Sequence, residues 1–274
     1  MIKILIIGYG SIGERHYKIL KNKKYKNIKI LTKRKNINLD IIKKKEIKDF
    51  NPNYVIISCH TSKHFKYLKF MNDNFSKIKI LVEKPIFHKI YKLKEKNKNK
   101  IFVDYNLRLH PVINFIKDYI INKKLIFASM SCFSNLKYWR KNISYFKSNT
   151  AQKKFGGGAL LELSHEIDYL IWIFGNFKNV YSNYSKISNL NIDVEDNVLS
   201  IFELKNKLNK YKIFLHMDFL RKDNTRFIEV VGSKGTIRID LILGKIELFS
   251  ITKNKWKVLY SDHSHLIDSY KNQF

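Results

Sequence analysis

The chain has 274 residues, 45% of them hydrophobic, which is enough to bury two domain cores. It holds no apolar run long enough to cross a bilayer, and its first apolar run ends in a glycine turn within eight positions, too early for a secretory signal. Lys and Arg number 53 against 23 Asp and Glu, a formal net charge of +30, but the lysines are spread along the whole chain beside abundant Asn and Ile. All three residue types have A/T-rich codons, so codon bias explains the charge better than a nucleic-acid surface does.

The first element is the unbroken apolar run Ile4–Ile7, the pattern of a strand buried on both faces of a parallel sheet. Gly8, Gly10 and Gly13 follow at G-x-G-x-x-G spacing, and residues 14–20 read as helix. Gly8 suits a tight turn, Gly10 lets the backbone approach a pyrophosphate, and Gly13 lets helix and strand pack closely. The helix N-terminus, with its free N–H groups, would hold the phosphate. Dinucleotide binding is the expectation.

Residues 27–31 read as the second strand. An Asp or Glu at its end would hold the adenosine ribose of NAD. Here the chain continues Thr32-Lys33-Arg34, with no acid until Asp40. Two cations beside a hydroxyl suit a 2′-phosphate, so NADP is expected ahead of NAD, which stays open. Residues 54–58 form a third strand and 62–74 a helix capped by Ser62. Between them Cys59-His60-Thr61 sits at the carboxyl end of a strand, where ligands bind in open α/β sheets. Ser58 and His60 are candidate cofactor contacts; for His60 and His64 alike, a direct chemical role is weighed below a structural one. Residues 77–82 are the fourth strand, ending at Glu83-Lys84-Pro85. Proline fixes that turn and biases Lys84 away from helix, so the lysine projects at a defined angle. A lysine-laden helix over 88–98 and a strand over 101–104 complete a doubly wound parallel sheet, the first domain, over residues 1–105.

Asn106-Leu107-Arg108-Leu109-His110-Pro111 marks a crossing into a second domain over 106–274. Residues 112–122 read as helix and 125–133 as strand. A polar, aromatic loop with Tyr138-Trp139-Arg140 and Tyr145-Phe146 either stacks on a sugar or is ordinary surface. Three glycines, 156–158, then open one helix over 159–174. On it Glu162, His165, Glu166 and Tyr169 fall at i, i+3, i+4 and i+7 and would share a face. Glu162 would orient the His165 ring and raise its basicity. Strands follow over 180–187, 197–204, 210–219, 226–231, 236–241, 246–251 and 256–260, with hairpin turns at 232–235 and 243–245. They make an open, mostly antiparallel sheet with a helix on one face; the other face is a natural place for dimerisation. Cys59 and Cys132 are too far apart for a metal-ligand pair and too few for a disulfide framework, which suits a reducing cytoplasm, and no metal is expected.

These motifs together resemble the Gfo/Idh/MocA oxidoreductases, named after glucose–fructose oxidoreductase and inositol dehydrogenase. The likeness rests on Gly8-Tyr9-Gly10-Ser11-Ile12-Gly13, Thr61-Ser62-Lys63-His64, Glu83-Lys84-Pro85 and Asn106-Leu107-Arg108. It continues through the stretch from Gly156 to Asp168 and the hairpin from Arg226 to Ile237, covering nearly the whole chain. Leu163-Ser164-His165-Glu166-Ile167-Asp168 is similar to a subgroup met among surface-polysaccharide and sugar-nucleotide genes. The resemblance implies an N-terminal Rossmann domain, an α/β substrate and dimerisation domain, and hydride transfer between a nicotinamide and a sugar, sugar nucleotide or cyclitol.

By the same resemblance Lys84 would hold and polarise the reacting oxygen and His165 would exchange its proton. Many relatives place an acid four residues before that histidine, where this chain has Leu161; Glu162 is the substitute. Asp168 would fix the helix. Gly8 to Gly13, Thr32, Lys33, Arg34, Ser58, His60, Glu83 and Lys84 would contact the cofactor, and Asn106, Arg108, Trp139, Arg140 and His165 the substrate. The expected assembly is a cytoplasmic homo-oligomer, dimer or tetramer, joined through the second sheet, with no membrane or specific nucleic-acid partner. Relatives commonly carry a further C-terminal helix, and Ser269-Tyr270-Lys271-Asn272-Gln273-Phe274 is similar to its opening, so a shortened member or a fragment is expected. The alternative is a non-catalytic dinucleotide sensor or scaffold.

Overall fold

The structure is a computed structural model that describes residues 1–274 apart from 36, 95–96, 140–143, 206–209 and 274. The chain divides into two compact units: residues 1–105 with 154–156, and residues 106–153 with 157–273. No helix among the described residues is long and apolar enough to cross a membrane.

In the first unit five strands, β1 (Ile4–Ile7), β2 (Ile28–Leu31), β3 (Tyr54–Ile57), β4 (Lys79–Glu83) and β5 (Lys100–Asp104), form an all-parallel sheet in the order β2-β1-β3-β4-β5. Alternate residues of each run go to opposite faces. Leu5, Ile7, Val55, Ile57, Ile80 and Val82 join one core with Leu68 and Met71. Ile4, Ile6, Ile28, Ile30, Ile56 and Leu81 join another with Leu20. The central strands β1 and β3 are covered on both faces, which is why they read as unbroken apolar runs instead of alternating ones. The helices α1 (Ser11–Asn22) and α3 (Thr61–Asn74) supply Leu20 and Leu68, while a short α2 (Ile47–Phe50) adds Ile47 and Phe50 to the core that holds Leu68.

Two expectations fail in this unit. The helix over 88–98 does not form among its described residues. Its backbone groups are committed elsewhere: the Lys94 carbonyl accepts from the Asn72 side chain, and the Asn97 carbonyl accepts from Lys77 N–H and Ser76 Oγ. Asn97 and Lys98 turn to φ of 60° and 53°, outside the helical region. Phe65 holds Tyr91 in a stacked pair at 4.1 Å, so ring packing and side-chain bonds from α3 outweigh helix propensity. Ser62 is also not a cap; α3 begins at Thr61 with His60 in the capping position and no side-chain cap bond.

The second unit is an eight-stranded sheet built from β6 (Leu125–Phe133), β7 (Phe177–Ser185), β8 (Asn197–Lys205), β9 (Lys210–Asp218), β10 (Thr225–Gly232), β11 (Gly235–Asp240), β12 (Lys245–Ser250) and β13 (Lys255–Ser261). The order is β13-β12-β11-β10-β6-β9-β8-β7, antiparallel throughout except for β6 beside β9. Helices α4 (Pro111–Ile120) and α6 (His165–Phe174) cover one face. There Val112, Ile113, Ile116, Tyr169 and Leu170 bury against Ala128, Met130, Ile213, Leu215 and Val230. The period-two partners on the other face stay open: Tyr181, Leu199 and Phe214 are 57%, 49% and 44% exposed.

The single helix expected over 159–174 is broken. A one-turn α5 (Ala159–Glu162) stops at Leu163, whose φ and ψ are −97° and 22°, and α6 restarts at His165. The cause lies in the partners of the polar residues. The Glu162 carboxylate accepts from Thr150 Oγ1 at 3.1 Å, whereas Glu166 is fully buried against Arg226, 2.7 Å away, and Tyr169. Glu162, His165, Glu166 and Tyr169 therefore do not share the face of one continuous helix, although Tyr169 still donates to Glu166.

Candidate active site

Strand order reverses between β1 and β3, and ligands of open α/β sheets lie outside the carboxyl ends of the strands at such a point. The turn after β1 is shaped for close approach. Gly8 has a φ of +100°, and a Cβ on it would lie 2.5 Å from the Cys59 backbone nitrogen. A Cβ on Gly13 would lie 2.1 Å from the Gly8 carbonyl oxygen, so only glycine lets α1 begin this near the strand. Over Gly10 the opposite holds, since nothing stands within 4 Å of where a Cβ would be. Gly10 is the N-cap of α1 and has no side chain to satisfy the first N–H groups. A side chain there would fill the approach path. The cradle thus fits the pyrophosphate of a dinucleotide.

Around that cradle Ser58 Oγ donates to the Gly8 carbonyl at 2.9 Å and steadies the turn. Tyr9 stands edge-on to Tyr17 at 6.0 Å, Ile12 is half-buried and Ser11 is exposed at the first position of α1. His60 stacks on Phe155 at 4.9 Å, a ring brought into the first unit by residues 154–156. Beyond β2 the Thr32 hydroxyl accepts from the Arg34 N–H at 3.1 Å, and Lys33 and Arg34 are exposed. The Arg34 guanidinium comes no nearer than 4.0 Å to the Glu14 carboxylate.

Lys84 is half-buried in the bend after β4, and its peptide bond to Pro85 is cis. Glu83 is turned inward. Its carboxylate lies 2.7 Å from His16 Nε2, which is itself 3.2 Å from Asp104 at the end of β5. All three are buried, and among the described residues they are one three-donor group close enough to share a metal ion. Their direct hydrogen bonds already account for the arrangement. Burial opposes a proton on His16, but the bonds to Asp104 and Glu83 together hold its pKa up at about 9. Both carboxyl groups approach the same ring nitrogen, Nε2, and their bonds favour the protonated ring. Sequence reasoning missed His16; the available signal was its place three residues after Gly13, on the α1 face that meets the sheet.

In the second unit His165 opens α6 and is buried to 9% exposure. One turn on, Asp168 accepts from Arg108 twice, from Nε at 2.8 Å and Nη2 at 2.5 Å. Burial raises the Asp168 carboxyl, and the guanidinium opposes that rise. The Arg108 guanidinium also lies over the Trp172 ring at 4.8 Å. Asn106 Nδ2 donates to Ser269 Oγ at 2.5 Å, tying the 3₁₀ turn of Asn106–Leu109 to the 3₁₀ segment Leu266–Gln273, in which Tyr270 is buried. Trp139 packs edge-on against Phe219 at 5.0 Å and donates to Ser134 Oγ, so its ring is part of the wall of this unit. Arg140 lies outside the described residues. Glu195 was also missed: its carboxylate accepts from the Leu160 N–H at 3.0 Å, at the start of α5.

Two family models match the sequence. One, described as an oxidoreductase family NAD-binding Rossmann fold, matches residues 2–105; the other, described as the oxidoreductase family C-terminal alpha/beta domain, matches residues 131–269. A search of curated protein sequences gave no match. Among solved structures, levoglucosan dehydrogenase in complex with NADH superposes with a TM-score of 0.76 at 17% identity, over 95% of this chain and 80% of that one. An inositol dehydrogenase homolog complexed with NAD+ from Azotobacter vinelandii gives 0.78 at 12% identity, over 99% and 83%. An oxidoreductase from Thermotoga maritima gives 0.77 at 18% identity, over 100% and 86%. At such identities these likenesses speak for the fold.

Proposed function

The chain belongs to the Gfo/Idh/MocA oxidoreductase family, and from that premise we propose that it is an NAD(P)-dependent enzyme acting on a hydroxyl or carbonyl carbon of a sugar, sugar nucleotide or cyclitol. The observation that carries the reading is the glycine turn at the switch point, tight at Gly8 and Gly13 and open over Gly10. A bound nicotinamide supplies hydride transfer to or from the substrate carbon. The protein's own side chains do the rest. Lys84 donates a hydrogen bond and a positive charge to the reacting oxygen, favouring the charge that develops there. His165 exchanges that oxygen's proton. Glu162, steadied by Thr150, is the acid that accompanies it, and the Arg108–Asp168 pair fixes the first turn of α6 on which His165 stands. Asn106, Arg108 and Trp139 line the substrate side. Levoglucosan dehydrogenase and an inositol dehydrogenase homolog among the structural relatives favour a polyhydroxylated substrate.

Lys33 and Arg34, exposed beyond β2 beside the Thr32 hydroxyl, favour NADP over NAD. The rest of the cofactor contacts are Tyr9, Ser11, Ile12, Ser58 and His60 around the turn, with Glu83 behind Lys84. Surface-polysaccharide or sugar-nucleotide metabolism in the cytoplasm suits this chemistry and the two unpaired cysteines. The open face of the second sheet, with Tyr181, Leu199 and Phe214, is where a second copy would pack. The test is oxidation of NADPH and NADH against a panel of keto-sugars, and reduction of NADP and NAD against polyols. Wild-type turnover is expected, and Lys84→Met should abolish it while dinucleotide binding, followed by fluorescence titration, is retained. An active Lys84→Met enzyme overturns the assignment of Lys84, and dinucleotide binding without turnover across the panel favours a sensor.

A further inference from the structure

The bend that carries Lys84 is held on both sides by buried histidines from different helices. Before it, Glu83 is fixed to His16 on α1. After it, the Pro85 carbonyl faces Nδ1 of His64, on the first turn of α3, at 3.0 Å. The other ring nitrogen of His64, Nε2, lies 3.0 Å from the Cys59 carbonyl at the end of β3. His64 is 1% exposed, and Pro85 is buried as well. Proline has no N–H, so its carbonyl is the one backbone handle by which that residue can be tethered. Both carbonyls can only accept, whereas a neutral imidazole carries a single N–H. Burial lowers the His64 pKa, against the pull of the carbonyls of Cys59, Pro85 and Ile86. The ring therefore sits between two backbone segments and donates its single N–H to one of them: the β3 end that carries His60 or the bend that carries Lys84. Such a ring is costly to replace, because the carbonyl it donates to would be stranded without a donor in a dry environment.

We propose that His64 is a positioning residue for Lys84, donating from Nδ1 to the Pro85 carbonyl and so tethering it to the first turn of α3, so that the lysine amine is presented at a fixed height above the cofactor cradle. This rests on the reading of Lys84 as the group that holds the reacting oxygen. His64 touches neither substrate nor cofactor; it acts through the bend.

Two substitutions separate the tether from mere filling of space. In His64→Asn the side-chain amide nitrogen stands where Nδ1 stood and can still donate to Pro85. In His64→Gln it stands where Nε2 stood and can reach only Cys59. The full chain of each variant is examined by hydrogen exchange in peptides spanning 80–90, by melting temperature, and by steady-state kinetics on whichever substrate of the panel the wild type turns over. The tether predicts that Gln speeds exchange in those peptides roughly 10- to 100-fold and lowers kcat by a similar factor, with the KM for the nicotinamide cofactor changed less than about threefold. Asn should stay near the wild type in both. If the two variants exchange alike, or lose kcat alike, or melt earlier with kcat intact, the proposal is overturned. If the wild type turns over nothing, the enzymatic reading falls, while the exchange comparison still decides whether His64 anchors the bend.

Discussion

His16 makes the N-terminal unit less stable as pH rises. Its ring is buried, which opposes protonation, yet Asp104 and Glu83 together hold the pKa up at about 9, against an ordinary 6.5. The native state therefore binds this proton more tightly than the unfolded chain does. The stability it contributes is complete below 6.5 and is lost as pH climbs through about 9. The difference corresponds to roughly 3 kcal/mol, with a slope approaching about 1.4 kcal/mol per pH unit inside the window. Glu83 pushes in the same direction at lower pH, because burial and the neighbouring Asp104 raise it above the ordinary carboxylate range. All three tryptophans lie in the second unit, at positions 139, 172 and 256. Urea unfolding from pH 6 to 9.5, followed by far-UV ellipticity for both units and by tryptophan fluorescence for the second, resolves the effect. The fluorescence transition should hold steadier than the ellipticity transition, which should move to lower urea as pH rises. In His16→Gln the pH dependence should flatten and stability at pH 7 should already be lower. Parallel pH profiles for wild type and His16→Gln would refute the account of His16 as a buried cation.

Three further outcomes follow from the same geometry. Arg226→Leu leaves the fully buried Glu166 carboxylate without its cation, and should cost about 3–5 kcal/mol in the tryptophan-detected unfolding of the second unit. Adding Glu166→Leu should recover most of that loss, and a single variant as stable as wild type would contradict the pair's role. His165→Asn should lower kcat by roughly 100- to 10,000-fold, the usual worth of a positioned acid–base group, with cofactor affinity retained in a fluorescence titration. Lys33→Ala combined with Arg34→Ala should weaken NADP at least about tenfold and leave NAD nearly unchanged, as measured by competitive titration of the two dinucleotides; equal weakening of both would remove the argument for a 2′-phosphate subsite.

Much of the fold was legible because both units use simple patterns. A strand covered on both faces must be apolar throughout, and Ile4–Ile7 and Tyr54–Ile57 are so. Central strands of the second sheet such as β6 and β10 alternate, and the strands of that sheet were readable to within a few residues. The cradle was legible too, since a glycine needed for a positive φ or a close approach is a local requirement stated at a fixed spacing. Polar partners were not. Glu162 and Glu166 looked alike on a helical wheel, and nothing local tells one to bond Thr150 and the other to face Arg226, 60 residues away in sequence. The lysine-rich stretch after Pro85 had the composition of a helix but lost its backbone partners to Asn72, Ser76 and Lys77.

Composition, periodicity and the glycine spacing were sufficient to determine a parallel sheet with a dinucleotide cradle followed by an open, mostly antiparallel sheet. They act over a few residues, through steric freedom and the demand to bury apolar surface. Only the tertiary structure decided that His16 lies between Glu83 and Asp104, that His64 stands between the Cys59 and Pro85 carbonyls, and that Arg108 is held by Asp168. A buried charge or donor is tolerated only with a partner, and the partner is chosen by which elements the fold brings side by side.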